Sequence, residues 1–140
     1  GVEISVETDG LGPDVEELIV HADPDQLTQV VTNLVENAVK YGGNGKGVQV
    51  ALWLNPRDPD MRVPAVTVAV TDHGDGIDPL HLPRLTERFY RVDSHRSREK
   101  GGTGLGLAIV KHIMNRHRGM LRIKSDRGVG SCFSISLRLP

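Results

Sequence analysis

The sequence has almost nothing with which to cross-link itself. Among 140 residues there is a single cysteine, Cys132, so neither an internal disulfide nor a cysteine-based zinc site can be built, which suits a reducing compartment and predicts a cytoplasmic location. An excess of one charge is also missing. Lys and Arg number 17 against 18 Asp and Glu, a formal net charge of -1, which excludes any global pull toward nucleic acid or an anionic membrane and leaves charge to act locally. No apolar run approaches the roughly 18 residues of a membrane span, and no signal-peptide pattern opens the chain at Gly1. What is present is an ordinary globular composition, 38% hydrophobic and 25% charged, enough apolar matter for one core. The expectation is one domain over residues 1–140, reading as a piece of a longer protein.

Periodicity divides that domain into elements. Val2, Ile4 and Val6 alternate with polar neighbours as in a half-buried strand, and Leu18 to Ala22 is a second short strand candidate. Asp23, Pro24, Asp25 and Gln26 then supply an N-cap, a proline at the first helical position and the glutamine of a capping box. The helix that starts there carries Leu27, Val30, Val31, Leu34, Val35, Ala38 and Val39 as one apolar stripe. Four glycines in Gly42 to Gly47 end it. Val48 to Leu54 and Val66 to Thr71 read as an antiparallel strand pair joined by a long loop, Asn55 to Pro64. Pro79 to Arg88 has room for a short helix, Leu105 to His117 reads as the second long helix, and Gly119 turns the chain into strands Met120 to Ser125 and Ser131 to Leu139. Hairpin-linked strands with few, long helices predict an α+β fold: a two-layer sandwich, mainly antiparallel mixed sheet, covered on one face by about three helices.

Three constellations carry possible chemistry. Gln29, Asn33, Glu36, Asn37 and Lys40 recur at helical spacing opposite the apolar stripe. Asparagine is a weak helix former, so two of them four apart on a strong amphipathic helix point to oxygen ligands for a hard cation. Asp72, Gly74, Gly76 and Ile77 follow an apolar strand directly; the glycines allow a tight turn and close approach of a flat ligand, and the aspartate offers a carboxylate to an exocyclic amine. Gly101 to Leu107 opens the second helix, where free N–H groups and the helix dipole favour phosphate. This last run is neither a dinucleotide fingerprint, which would need glycine at Leu107, nor a P-loop, since Gly45-Lys46 is followed by Gly47.

Together and in this order, the three resemble the catalytic, ATP-binding domain of bacterial sensor histidine kinases, in the superfamily shared with gyrase, MutL and Hsp90. Asn33 to Tyr41 is similar to that family's N box, Asp72 to Ile77 to its G1 box, Glu87 to Asp93 to its F box, and Gly102 to Leu107 to its G2 box. Gly128 to Ser131 is similar to the turn before its final strand. The run from the F box into G2 looks most like sensor kinases of the phosphate-regulon type. The resemblance implies the Bergerat-type ATP-binding fold, with ATP and Mg²⁺ as cofactors. It implies that Asn37 ligates the metal beside Asn33, that Lys40 contacts phosphate and that Tyr41 flanks the nucleoside. Asp72 would accept the adenine amine, with Gly74, Gly76 and Ile77 around the base. Arg91 would reach the γ-phosphate, Tyr90 and Phe89 would anchor a flexible lid over Asp93 to Gly102, and Thr103, Gly104, Leu105, Gly106 and Leu107 would border the phosphates. Arg91, Asn37 and Lys40 are the residues expected to act in catalysis.

A histidine kinase also needs a phosphoacceptor histidine on dimerisation helices, and Ser94-His95-Arg96 lies in the wrong context to be one. The remaining histidines show no ligand spacing; His112 and His117, five apart, do not share a helix face. The implied partner is therefore the dimerisation and phosphoacceptor domain of the same kinase, with a response regulator indirectly and neither nucleic acid nor direct membrane contact, although the parent is expected to be membrane-anchored. Rival readings are a gyrase-like ATPase, disfavoured because the amide of Asn33 cannot take a proton from water, and a nucleotide-dependent regulatory module that transfers no phosphate.

Overall fold

The computed structural model describes residues 4–10, 20–41, 47–88 and 106–140; of Tyr41, and of the first strand apart from Val6, it describes the backbone only. Five strands form one sheet in the order β1-β2-β3-β5-β4. They are β1 (Ile4–Gly10), β2 (Val48–Asn55), β3 (Ala65–Asp72), β4 (Met120–Asp126) and β5 (Gly130–Arg138). β1 runs parallel to β2 and the other pairs are antiparallel, the mixed sheet that the hairpin-rich sequence predicts. Two α-helices, α1 (Pro24–Tyr41) and α2 (Gly106–Arg116), and a 3-10 turn at Leu82–Arg84 are the helical elements among the described residues.

Register decides which side chains meet the helices. Val66, Val68 and Val70 of β3 stand opposite Leu137, Ile135 and Phe133 of β5, and opposite Leu54, Leu52 and Val50 of β2. With the sheet's period of two, all of these share one face. On that face they pack with Val30, Leu34 and Ala38 of α1 and Val110, Ile113 and Met114 of α2. Truncating a side chain as deeply buried as Leu34 to alanine costs roughly 2–5 kcal/mol. By the same parity Asp72, the last residue of β3 and the partner of Val48, faces the helix layer at one end of the sheet.

The opposite face carries Thr67, Ser136 and Arg122, and no helix covers it among the described residues. The loop between β2 and β3 covers part of it instead. Arg122 donates from Nη2 to Asp58 Oδ1 at 2.5 Å, from Nε to Asp60 Oδ2 at 2.6 Å and from Nη1 to Ser136 Oγ at 2.8 Å. Asp58 is 1% exposed, and its Oδ2 has no hydrogen-bond partner among the described residues. Burial pushes its carboxyl up, but the Met61 N–H, the Arg122 guanidinium and the Asp60 N–H outweigh that and hold it below its ordinary value.

Local expectations fail where a partner far along the chain decides the outcome. Val20 to Ala22, the described part of the second strand candidate, is not a strand; the sheet places no partner beside it, and a short apolar run without one cannot satisfy its backbone. Asp23 does cap α1, its Oδ1 accepting the N–H of Asp25 at 2.9 Å and of Gln26 at 3.1 Å. Gln26 does not complete a box, because the Asp23 N–H donates to His117 Nε2 at 3.0 Å. At the end of α2 the left-handed residue is Arg118, φ 55°, with Gly119 next, its N–H reaching the Met114 carbonyl at 2.9 Å. Glycine is required at 119 for space: a Cβ would stand 2.5 Å from the Ser136 carbonyl oxygen and 2.6 Å from Met114 Cε.

Candidate functional site

Asn33 and Asn37 sit on the border of the apolar stripe of α1. Of the five polar residues expected to project together, Gln29, Glu36 and Lys40 are exposed, while Asn33 and Asn37 are half-buried. The reason is angular: at 100° per residue, positions 33 and 37 lie next to buried Val30, Leu34 and Ala38 rather than opposite them. Asn33 donates from Nδ2 to the carbonyl of Gly106, the first residue of α2, at 3.3 Å. The side chain of Asn37 is half-buried and has no hydrogen-bond partner among the described residues.

Among the described residues no atom lies within 4 Å of the point where a Cβ would stand on Gly106 or on Gly128; Gly128 takes φ 79°, whereas at Gly106 neither space nor a positive φ requires glycine. The open space beside the first turn of α2, bordered by Asn33, is where an incoming anion would meet free N–H groups.

Asp72 closes the site from the sheet. It is 6% exposed, and Oδ1 accepts two backbone N–H groups, from Gly74 at 3.0 Å and Ser131 at 3.3 Å. No donor among the described residues engages Oδ2. One oxygen is thus spent on orienting the carboxylate, and the other can accept a hydrogen bond from a ligand. The chain leaves α1 at Tyr41 and re-enters the sheet at Val48, the cross-strand partner of Asp72. That short connection holds the C-terminal half of α1, with Asn37 and Lys40, at the same end of the sheet as Asp72.

The turn after Asp72 is bolted to the β4–β5 hairpin. Ile77 N–H donates to Ser125 Oγ at 2.7 Å, and Ser125 Oγ donates to the Gly130 carbonyl at 3.1 Å. With its one proton used, Ser125 must accept from Ser131 Oγ, 2.8 Å away. Gly76 adopts φ 75°, and a Cβ there would collide with the Asp126 carbonyl; a Cβ on Gly130 would collide with the Asp72 carbonyl. The absent side chain of Gly76 therefore makes room for backbone of the neighbouring turn, where the sequence pattern suggested room for a flat ligand. Gly74 is buried, and Ile77 and Leu107 are half-buried against the core. Tyr90, Arg91, Thr103, Gly104, Leu105 and the expected lid over Asp93 to Gly102 lie outside the described residues, as does the side chain of Tyr41.

Sequence reasoning passed over three linking side chains: Ser125 and Ser131, which hold the turn after Asp72, and His117, which ties the end of α2 to the cap of α1. The serines carry no pattern of their own, and of the two partners of His117 one, Ile113, lies a turn back in α2 while the other, Asp23, is 94 residues away at the cap of α1. An open groove of about 440 Å³ runs between α2, the 3-10 turn and β4, lined by Leu82, Lys111, Met114 and Ile123 among others. None of the candidate residues borders it, so volume alone does not locate the site.

Comparison with known proteins identifies the family and the fold. Residues 22–140 match the family described as histidine kinase-, DNA gyrase B- and HSP90-like ATPase. The chain is 49% identical over 109 residues to the phosphate regulon sensor protein PhoR of Pseudomonas aeruginosa, covering 78% of this chain and 23% of that protein. It is 43% identical over 118 residues to the sensor-like histidine kinase SenX3 of Mycolicibacterium smegmatis, covering 84% of this chain and 29% of that one. The chain thus spans about a quarter of the length of these curated relatives. Among solved structures, the mycobacterial sensor histidine kinase MprB superposes with a TM-score of 0.74 at 31% identity, covering 99% of this chain and 86% of that one. Full-length ShkA in complex with AMPPNP superposes with a TM-score of 0.71 at 27% identity, covering 99% of this chain and 26% of that one. The chain belongs to the histidine kinase-, DNA gyrase B- and HSP90-like ATPase family, as a catalytic domain of the sensor histidine kinase type.

Proposed function

We propose that the domain binds ATP with Mg²⁺ between the C-terminal half of α1, Asp72 and the start of α2, and donates the γ-phosphate to a histidine on the dimerisation helices of its parent sensor kinase. The observation that carries this reading is the divided carboxylate of Asp72: Oδ1 is held by two backbone N–H groups while Oδ2 meets no donor among the described residues. An exocyclic amine fits there, and adenine carries one. The half-buried Asn37 amide fits a hard cation. Among the described residues no three His, Cys, Asp or Glu side chains converge, which suits a Mg²⁺ that brings most of its oxygen ligands with the triphosphate. When bound, Mg²⁺ neutralises phosphate charge and fixes the triphosphate's orientation.

The chain's own residues then divide the work. Lys40 and the α2 N-terminus meet phosphate oxygens, Arg91 reaches the γ-phosphate, Tyr41 flanks the nucleoside and Tyr90 anchors the base of the lid over it, with Thr103, Gly104 and Leu105 completing the phosphate border. An acceptor imidazole nitrogen attacks the γ-phosphorus in line, a P–N bond forms, and the P–O bond to ADP breaks with its electrons leaving on ADP. Among the described residues neither candidate near the phosphates serves as a general base for water: Asn33 is an amide donating to Gly106, and Glu36, one turn further along, is exposed, so little hydrolysis by the domain alone is expected. A response regulator receives the phosphate indirectly, from the phosphohistidine.

The test is phosphotransfer in trans to the histidine-bearing domain of the parent kinase. The wild-type domain labels that partner with γ-phosphate, and Asn37→Ala loses ATP binding and transfer together. Arg91→Ala keeps ADP affinity while transfer slows by roughly 100-fold, the scale of one lost transition-state stabiliser. A domain that binds ATP and never labels the partner would instead support a regulatory module.

A further inference from the structure

His117 follows the last turn of α2 and joins two helices. Its Nε2 lies 3.0 Å from the backbone nitrogen of Asp23, and its Nδ1 lies 2.8 Å from the Ile113 carbonyl oxygen. The partners decide the protonation state. A backbone N–H only donates, so Nε2 must offer its lone pair; a carbonyl only accepts, so Nδ1 must carry the proton. The imidazole is therefore neutral and in one tautomer. It ties the end of α2 to the cap of α1, at the N–H that Gln26 leaves unclaimed.

A second tie joins the same helices. Asn33 Nδ2 donates to the Gly106 carbonyl at the start of α2. On α1 the two contact points are residues 23 and 33; on α2 they are 117 and 106. At 1.5 Å per residue the spacings are about 15 Å and about 17 Å, so two antiparallel helices are pinned at both ends of their contact. Between the pins lie Leu27 and Val30 of α1 and Val110, Ile113 and Met114 of α2, all packed in the one hydrophobic core. Aliphatic surfaces of this kind fix distance better than axial register, and polar ties specify register.

We infer that His117 is a positioning residue for the nucleotide site: by accepting the Asp23 N–H and donating to Ile113 it sets where α2 stands along α1, and so where the Gly106 end of α2 stands against Asn33 and Asn37. This rests on the reading that α1 and the start of α2 hold the nucleotide. His117 is about 17 Å from that end along the helix, so it acts through α2 and touches no ligand.

The experiment uses the domain in solution. In the wild-type protein, imidazole ¹⁵N shifts at neutral pH show His117 as the Nδ1–H tautomer; the Nε2–H tautomer would overturn the geometry. In His117→Ala, held well below its melting temperature, the side-chain amide resonance of Asn33 shifts and ATP affinity falls about tenfold, the size of a coupled neighbouring contact. His117→Gln, which returns a carbonyl acceptor at similar reach, recovers both. A merely structural role predicts otherwise: His117→Ala would lower the melting temperature and leave the Asn33 resonance and ATP affinity in place, and that result overturns the inference. If His117→Ala does not fold, the tautomer and His117→Gln decide. A wild-type domain without ATP affinity would defeat the nucleotide reading, while the tautomer and the Asn33 resonance would still judge His117.

Discussion

The Asn33 side chain donates to the Gly106 carbonyl at 3.3 Å, so the middle of α1 and the first turn of α2 are held together by a group that must be a donor. A carboxylate there has no proton to give and meets the carbonyl with like charge. Asn33→Asp therefore breaks the contact, and without that tie the new carboxylate is not held where it could take a proton from water. ATP affinity measured by calorimetry is expected to fall about tenfold, equivalent to roughly 1.4 kcal/mol, with no gain in ATP hydrolysis. A faster hydrolysis rate would show that the amide is what restrains attack by water.

The glycines separate folding from binding. Gly76→Ala places a methyl group against the Asp126 backbone at φ 75°, and the conformational strain alone costs roughly 1–3 kcal/mol. A thermal unfolding scan should show a clear loss. Gly106→Ala meets no protein atom within 4 Å, so its melting temperature is expected to stay close to wild type while ATP affinity falls. Equal melting losses in both variants would contradict the division.

Acid should loosen the loop over the outer sheet face. The folded Asp58 carboxyl titrates below its unfolded value, so its contribution is fully present above about pH 4 and is lost as pH falls through the folded value. Arg122→Ala removes the guanidinium's share of that contribution and leaves the Met61 and Asp60 N–H groups in place. Its cost at pH 7 is about 2 kcal/mol, below the roughly 3–5 kcal/mol of a fully buried pair, because Arg122 keeps 22% of its side chain exposed. Denaturant unfolding followed by the fluorescence of Trp53 at pH 7 and pH 3 measures both; an unchanged gap between wild type and Arg122→Ala at the two pH values would refute the assignment.

Much of this was legible in the sequence, and what was not has a common physical cause. The apolar stripe of α1, the Asp23 cap and the β2–β3 and β4–β5 pairs follow from periodicities of 3.6 and 2, and the structure contains each. The partner of the Asp23 N–H lies 94 residues away, and no local spacing encodes it. Gly76 and Gly130 read as ligand or turn glycines, yet each is required by the other's hairpin. The burial of Asn33 and Asn37 beside the stripe, rather than across from it, depends on where α2 packs. Asp58 and Arg122 are 64 residues apart and look, in sequence, like ordinary surface charges.

The most direct test is a calorimetric titration of the domain with ATP and GTP in the presence and absence of Mg²⁺, repeated on Asp72→Asn. Asparagine keeps an oxygen for the Gly74 and Ser131 N–H groups and replaces the open Oδ2 with a donor, so the fold survives while the adenine amine faces another N–H. The account predicts Mg²⁺-dependent ATP binding, much weaker GTP binding because guanine presents a carbonyl to Asp72, and loss of the ATP preference in Asp72→Asn. Equal affinities for ATP and GTP in the wild-type domain, or full ATP affinity in a folded Asp72→Asn, would contradict it.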